Sequence, residues 1–218
     1  MANRGSDEHR GSLQTADIFP VLLPEKRAQI MAGAVEVFAS DGYEGASMSR
    51  IAQVAGVSKG TLYNYFDSKA ALFSAYVNEV CDHKISALFG VIDGHDNPAD
   101  ALRDIGRRMI QLMLSAPSLT IYRVVISEAF KFPELARLFF NAGPARAVRS
   151  MADWLDKETR KGNLAVPDPE FAAEQFFALC QTRIVMRRRL NMLDALDPDE
   201  LDRVVNTSVD MFLGTYRA

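Results

Sequence analysis

The chain has 218 residues, 48% hydrophobic and 24% charged, with a net charge of −3, a pI near 5.7 and a mean hydropathy of −0.06. That is enough apolar material for one or two packed domains, and the acidic balance excludes a generally basic protein that coats nucleic acid. No run approaches the roughly 20 apolar residues needed to span a bilayer, and the N-terminus lacks the apolar core of a secretory signal, so a cytoplasmic chain without membrane contact is expected.

Residues 1–23 are polar, mixed in charge and without period, which predicts disorder; Arg4 and Arg10 read as part of a loose tail. Pro24 then stands at a first-turn position and opens a helix whose buried stripe is Ile30, Ala34, Val37 and Phe38, stopping at Asp41-Gly42.

The next segment, Gly45 to Phe66 (GASMSRIAQVAGVSKGTLYNYF), contains no Asp or Glu and is bracketed by Glu44 and Asp67. Ser47 is placed to cap a short helix with Ile51, Ala52 and Ala55 on one face. Gly56 falls where the chain must turn, Val57 follows as an apolar plug, and Ser58 is placed to cap a second helix. On that second helix Leu62 and Phe66 point inward, while Gly60, Thr61, Tyr63 and Asn64 point outward. This is the build of a helix-turn-helix, whose second helix enters the DNA major groove. Gly60 permits close approach to a phosphate, Thr61 and Tyr63 offer hydroxyls, and Asn64 carries the donor and acceptor that match an adenine edge. Tyr65, at the flank of the buried side, and Lys59, at the helix start, can reach the DNA backbone. An exposed Tyr-Asn-Tyr alone is a surface patch, and Gly56 alone is a helix C-cap. Their conjunction at spacings that one geometry explains is what points to DNA.

Ser68 caps a helix from Lys69 to about Val91, with Leu72, Tyr76, Val80, Ile85 and Leu88 along it. Helices follow from Asn97-Pro98 to Ser115, from Ala116 through Phe130, from Phe132-Pro133 to Asn141, and from Gly143-Pro144 to Lys161. Val166-Pro167-Asp168-Pro169 precedes one long helix to about Asn191, and Asp197-Pro198 starts the last, ending near Tyr216. No segment alternates with period two, so the expected fold is all-α with nine or ten helices. Arg187-Arg188-Arg189 reads as cations favoured by a helix C-terminus rather than as a nucleic-acid patch.

The run AGVSKGTLYNYFDSKAALF, with IAQ upstream, resembles the DNA-binding domain of TetR-family transcriptional regulators over roughly residues 25–73. The pattern G-V-S-K-G-T-L-Y-x-Y-F-x-S-K-x-x-L-F is highly specific. The resemblance implies an N-terminal three-helix DNA-binding domain with a helix-turn-helix (24–68) and a helical C-terminal ligand-binding and dimerisation domain (69–218). Carried over by position, Ser49, Arg50, Lys59, Gly60, Thr61, Tyr63, Asn64, Tyr65 and Lys69 are the expected DNA contacts, to which the cap serines Ser47 and Ser58 are added. Residues 1–70 hold seven Lys and Arg against eight Asp and Glu, so affinity must come from a few well-placed cations and a doubled site in a dimer.

The stretches LRDIGRRMIQLMLS, LTIYRVVISEAFKFPELARLFFNAGPARA and MADWL resemble the C-terminal domain of the AefR-like branch of the family. By that resemblance a pocket between helices binds a small hydrophobic effector. Candidate lining residues are Met109, Met113, Tyr122, Phe130, Trp154, Phe176, Phe177 and Met186, with Arg183 or Glu128 as polar anchors; aromatic and Met residues at helical spacing are otherwise ordinary core. The expected partners are a palindromic double-stranded DNA operator, that effector, and a second copy of the chain. Two helical faces come into question for the dimer: Phe171, Gln175, Ala178, Leu179, Thr182 and Met186, and Leu201, Val204, Val205, Ser208, Val209 and Phe212. Both can equally be intramolecular core.

Cys81 and Cys180 lie far apart without metal-ligand spacing and read as small core residues. The three His show no metal motif, and no G-x-S-x-G, P-loop or nucleotide-binding glycine pattern occurs, so neither cofactor, metal nor catalytic residue is expected. The alternatives are a helical interaction protein that kept the fold but lost DNA binding and, further off, an all-α enzyme.

Overall fold

Side chains that cap helices and prolines that start them punctuate the chain into eleven α-helices among the described residues. The computed structural model describes residues 24–90, 92 and 95–218; the expectation for 1–23, with Arg4 and Arg10, lies outside them. The helices are α1 (Pro24–Gly45), α2 (Met48–Val54), α3 (Lys59–Tyr65), α4 (Lys69–Phe89), α5 (Pro98–Leu114), α6 (Ala116–Glu128), α7 (Pro133–Ala142), α8 (Pro144–Arg160), α9 (Pro169–Cys180), α10 (Ile184–Arg189) and α11 (Pro198–Tyr216). Ser47, Ser58 and Ser68 accept the Arg50, Thr61 and Ala71 N–H groups, as their positions predict. Asn97, Asp168 and Asp197 do the same for α5, α9 and α11, each followed by a first-turn proline. Losing one such cap costs about 1 kcal/mol. No single helix among the described residues is long and apolar enough to cross a membrane.

The single long helix expected from Pro169 to about Asn191 is two. Arg183 takes φ 62° and ψ −56°, and the Ile184 N–H bonds back to the Thr182 carbonyl at 2.7 Å, which closes a γ-turn. Polar side chains compete with the helix ladder there: Gln181 Nε2 donates to the Phe177 carbonyl and Thr182 Oγ1 to the Leu179 carbonyl. The break reorients every residue of α10 relative to a continuous helix.

Two apolar cores result. One gathers α1 to α4 with α6 and α7, including Phe38, Phe73, Ile121, Val125 and Leu135. The other gathers α5, α8, α9 and α11 around Ile105, Trp154, Phe176 and Phe212, with Leu88 from the end of α4. The helix-turn-helix therefore shares its core with α6 and α7. Leu201, Val204, Val205, Ser208, Val209 and Phe212 of α11 are all buried within the second core, so this face is intramolecular. Phe171, Gln175, Ala178, Thr182 and Met186 stay exposed and Leu179 is half-buried.

Candidate nucleic-acid interface and effector cavity

The reading head is held by α1. A Cβ at Gly33 would come within 2.7 Å of the Ala55 Cβ and backbone N, so α1 crosses the end of α2 at backbone contact. Gln29 Nε2 donates to the Ala55 carbonyl at 2.6 Å, and Gly56 turns the chain at φ 65°. Ile51, Leu62 and Phe66 are buried beneath, and α3 is left standing outward.

On that outward side lie Ser49, Arg50, Ser58, Lys59, Gly60, Tyr63 and Asn64, all exposed, with Thr61 and Tyr65 half-buried at its edges. Tyr63 keeps 49% of its surface open, an unusual exposure for a large ring. Ser47 and Ser58 each accept one backbone N–H as caps, and the Ser58 and Thr61 hydroxyls lie 2.8 Å apart. Arg50 lies 3.9 Å from the Asp41 carboxylate with half its side chain exposed.

Lys69 differs from its expected place among the phosphate contacts. Its ammonium bonds to the Tyr43, Glu44 and Ala46 carbonyls at 2.5, 3.2 and 2.9 Å and sits over the Tyr43 ring. An ammonium has three N–H groups, and all three are used. Burial pulls this ammonium below its usual pKa range, opposed by the nearby Glu128 and Glu44 carboxylates. Lys69 clamps the end of α1 and the start of the loop after it onto α4.

A cavity of about 400 Å³ lies on the seam between the two cores. Its walls come from α4 (Val80, Cys81, Lys84, Ile85, Leu88), α5 (Met109, Leu112, Met113), α6 (Ser118, Ile121, Tyr122), α7 and α8 (Phe139, Phe140, Ala147, Val148), and α9 and α10 (Glu174, Phe177, Gln181, Arg189). Of the expected lining residues, Met109, Met113, Tyr122 and Phe177 meet here.

The other six lie elsewhere. Trp154 is buried in the second core, and Phe176, one helical step of 100° from Phe177, packs against Phe212 at 5.3 Å. Phe130 is fully exposed just past the end of α6, where Phe132 turns inward against Tyr43 instead. Arg183 occupies the γ-turn and pairs with Glu200 at 2.5 Å. Met186 is 61% exposed because the break before α10 turns it outward. Glu128 is no cavity anchor: it is buried at the far end of α6, where its Oε1 accepts the Glu44 N–H at 3.1 Å.

Both cations of the cavity wall, Lys84 and Arg189, lie outside the expected set. Lys84 recurs with Val80 and Leu88 at i, i+4 and i+8, so a cation inside an apolar stripe was the available signal. Arg189 shares the buried face of α10 with Val185, a relation that appears only once the helix is known to restart at Ile184.

The arrangement is that of a DNA-binding regulator with a sensing domain, and comparison with known proteins agrees. A family profile for bacterial regulatory proteins of the tetR family matches residues 30–76. A second, for the C-terminal domain of AefR-like transcriptional repressors, matches residues 100–218, over half of the chain. A crystal structure of a TetR-family regulator from Mesorhizobium loti superposes with a TM-score of 0.79 at 28% identity, covering 89% of this chain and 98% of that one. The flavonoid-responsive regulator FrrA superposes with a TM-score of 0.73, also at 28% identity and with the same coverage. The nucleoid occlusion factor SlmA of Haemophilus influenzae is 24% identical over 193 residues, 86% of each chain. The chain belongs to the TetR family of helix-turn-helix transcriptional regulators.

Proposed function

We propose that the protein is a cytoplasmic repressor that binds a palindromic operator as a homodimer and is released by a small effector bound in the seam cavity. The observation that carries this reading is the cavity's position. The helices that wall it, α4 and α6, are the same ones whose other ends hold the reading head, through Lys69 and Glu128. An effector that changes their spacing alters the presentation of α3. A two-fold dimer must present two such helices about 34–36 Å apart, so a small change in the spacing of the heads shifts the population away from the DNA-competent state.

The exposed Phe171 and Ala178 of α9 and Met211 of α11 supply a face for the second copy. In the reading head Lys59 and Arg50 serve phosphates, Tyr63 and Thr61 the sugar-phosphate edge, and Asn64 a base; Gly60 allows the approach. The flavonoid-responsive neighbour supports an organic molecule as the signal.

The test is footprinting on DNA upstream of the protein's own gene, followed by salt titrations of affinity for the protected site. Lys59→Ala is expected to lower the salt slope by about one and to weaken all sequences alike. Asn64→Ala is expected to relax choice at one base position per half-site. An unchanged slope and an unchanged selection profile together refute this assignment of the head.

A further inference from the structure

The seam cavity is walled by two cations, and neither is paired with an acid in it among the described residues. Arg189 lies with its Cζ 3.7 Å from the centre of the Tyr122 ring, and its Nε is buried without a hydrogen-bond partner. Lys84 donates to the hydroxyls of Ser115 and Ser118, the latter at 3.1 Å, and both are neutral. Among the described residues the one carboxylate in the wall is Glu174, which is exposed.

Both cations rest on the same helix. Ser118 and Tyr122 are successive turns of one face of α6, and one cation is docked on each. Around them the wall is apolar, with Met109, Met113, Ile85, Leu88 and Phe177. Burial already pulls the Lys84 ammonium below its usual range.

A wholly apolar ligand filling the cavity would strip more water from both cations and return nothing to them, which is costly for charged groups, and a neutral oxygen would return only a weaker hydrogen bond and no charge. An anion answers both at once. The planar guanidinium fork matches a carboxylate in particular, and the free Nε–H is one tine of it.

We propose that the cavity binds a small apolar molecule carrying one carboxylate, held between Arg189 and Lys84, with its body along Met109, Met113 and Phe177. This rests on the reading of the cavity as the effector site and specifies the chemical class of effector.

The experiment is calorimetric titration of the full-length protein with 2-naphthoate and with its neutral isostere 2-naphthamide. In the unaltered protein the acid is expected to bind about tenfold or more tighter than the amide, as a charge-assisted hydrogen bond implies. In Arg189→Gln and in Lys84→Met that advantage shrinks while amide affinity holds. Thermal melts establish folding, and if one variant does not fold the other carries the comparison; the acid–amide contrast in the unaltered protein needs neither. Equal affinity for acid and amide, or undiminished acid affinity in a folded variant of each cation, overturns the carboxylate assignment and leaves the cavity reading standing. Binding of neither compound overturns both.

Discussion

Gly60 lies inside α3 with helical backbone, and a Cβ there would meet nothing nearer than Ser58 Oγ at 3.8 Å. Among the described residues neither packing nor conformation calls for glycine here, although Gly in a helix costs up to about 1 kcal/mol relative to Ala. Gly33 is the opposite case, since Ala55 leaves it no room for a side chain. The open space at Gly60 fits its proposed role, in which a DNA backbone approaches between Lys59 and Tyr63. Gly60→Ala is therefore expected to hold or raise the melting temperature while weakening operator binding several-fold. Operator affinity equal to that of the unaltered protein, measured by fluorescence anisotropy, would remove Gly60 from the interface. Lys69 gives the complementary lesson: a cation at a motif position is not a free cation, because three carbonyls already hold its protons.

Elements here are stabilised at their ends, and α8 shows how that produces a pH dependence. Glu158 is buried in its last turn; its Oε1 accepts from Lys161 Nζ and its Oε2 from Asn163 Nδ2, both at 2.7 Å. Burial alone pushes the carboxyl pKa up, but the bonds from Asn163 and Lys161 together with the Lys157 and Lys161 charges outweigh it, and the net shift is downward. A carboxyl whose folded pKa is depressed stabilises the fold above its unfolded value and loses that contribution as pH falls through the folded one. The loss therefore begins near the ordinary value of about 4.5 and proceeds to lower pH. Glu158→Gln is expected to lower stability at neutral pH and to flatten the acid limb in that window, as read by urea midpoints at several pH values. An acid limb as steep as before would show that other carboxylates carry it. The turn this clasp closes leads to Leu164, whose bridge to Arg217 ties down the end of α11.

For the whole molecule, a net charge of −3 leaves little general attraction for DNA, so affinity depends on placing a few groups well and twice. Placement in turn depends on α4 and α6, which run from the cavity to the head. At the head end the Glu128 carboxylate bonds to the Glu44 backbone beside Gly42, which adopts φ 71°, while Lys131 pairs with Glu44 at 2.5 Å. Coupling between sites is typically about 1–3 kcal/mol, so an effector should change DNA affinity by roughly 5- to 150-fold. Glu128→Ala is expected to bring that factor towards one while the cavity still binds ligand; Glu128→Gln, which keeps an acceptor for Glu44, retains more of it. Operator affinity measured with and without saturating ligand checks this, and a factor unchanged in Glu128→Ala excludes the contact as a route.

Local chemistry was enough for much of the protein. Capping residues, first-turn prolines and apolar periodicity determined the helices, and the outward set from Ser58 to Asn64 follows from 100° per residue once Leu62 and Phe66 are buried. The break at Arg183 carries no proline or glycine to mark it, and apolar residues resume at Ile184 directly after the polar Gln181-Thr182-Arg183, where the Gln181 and Thr182 side-chain bonds compete with the helix ladder. A continuous helix carries Met186 to the inward face, whereas the restart at Ile184 turns it out and brings Arg189, expected only as a helix-end cation, to the cavity wall. Phe176 and Phe177 are equally apolar neighbours, and which one faces a cavity depends on where α6 and α11 pack. By itself, then, the sequence determined an all-α DNA-reading head and its outward residues, because those rest on interactions a few residues apart. Only the tertiary structure decided where the cavity lies, that Lys84 and Arg189 meet in it, and that Glu128 and Lys69 join it to the head, because those contacts bring together helices whose relative placement no local pattern encodes.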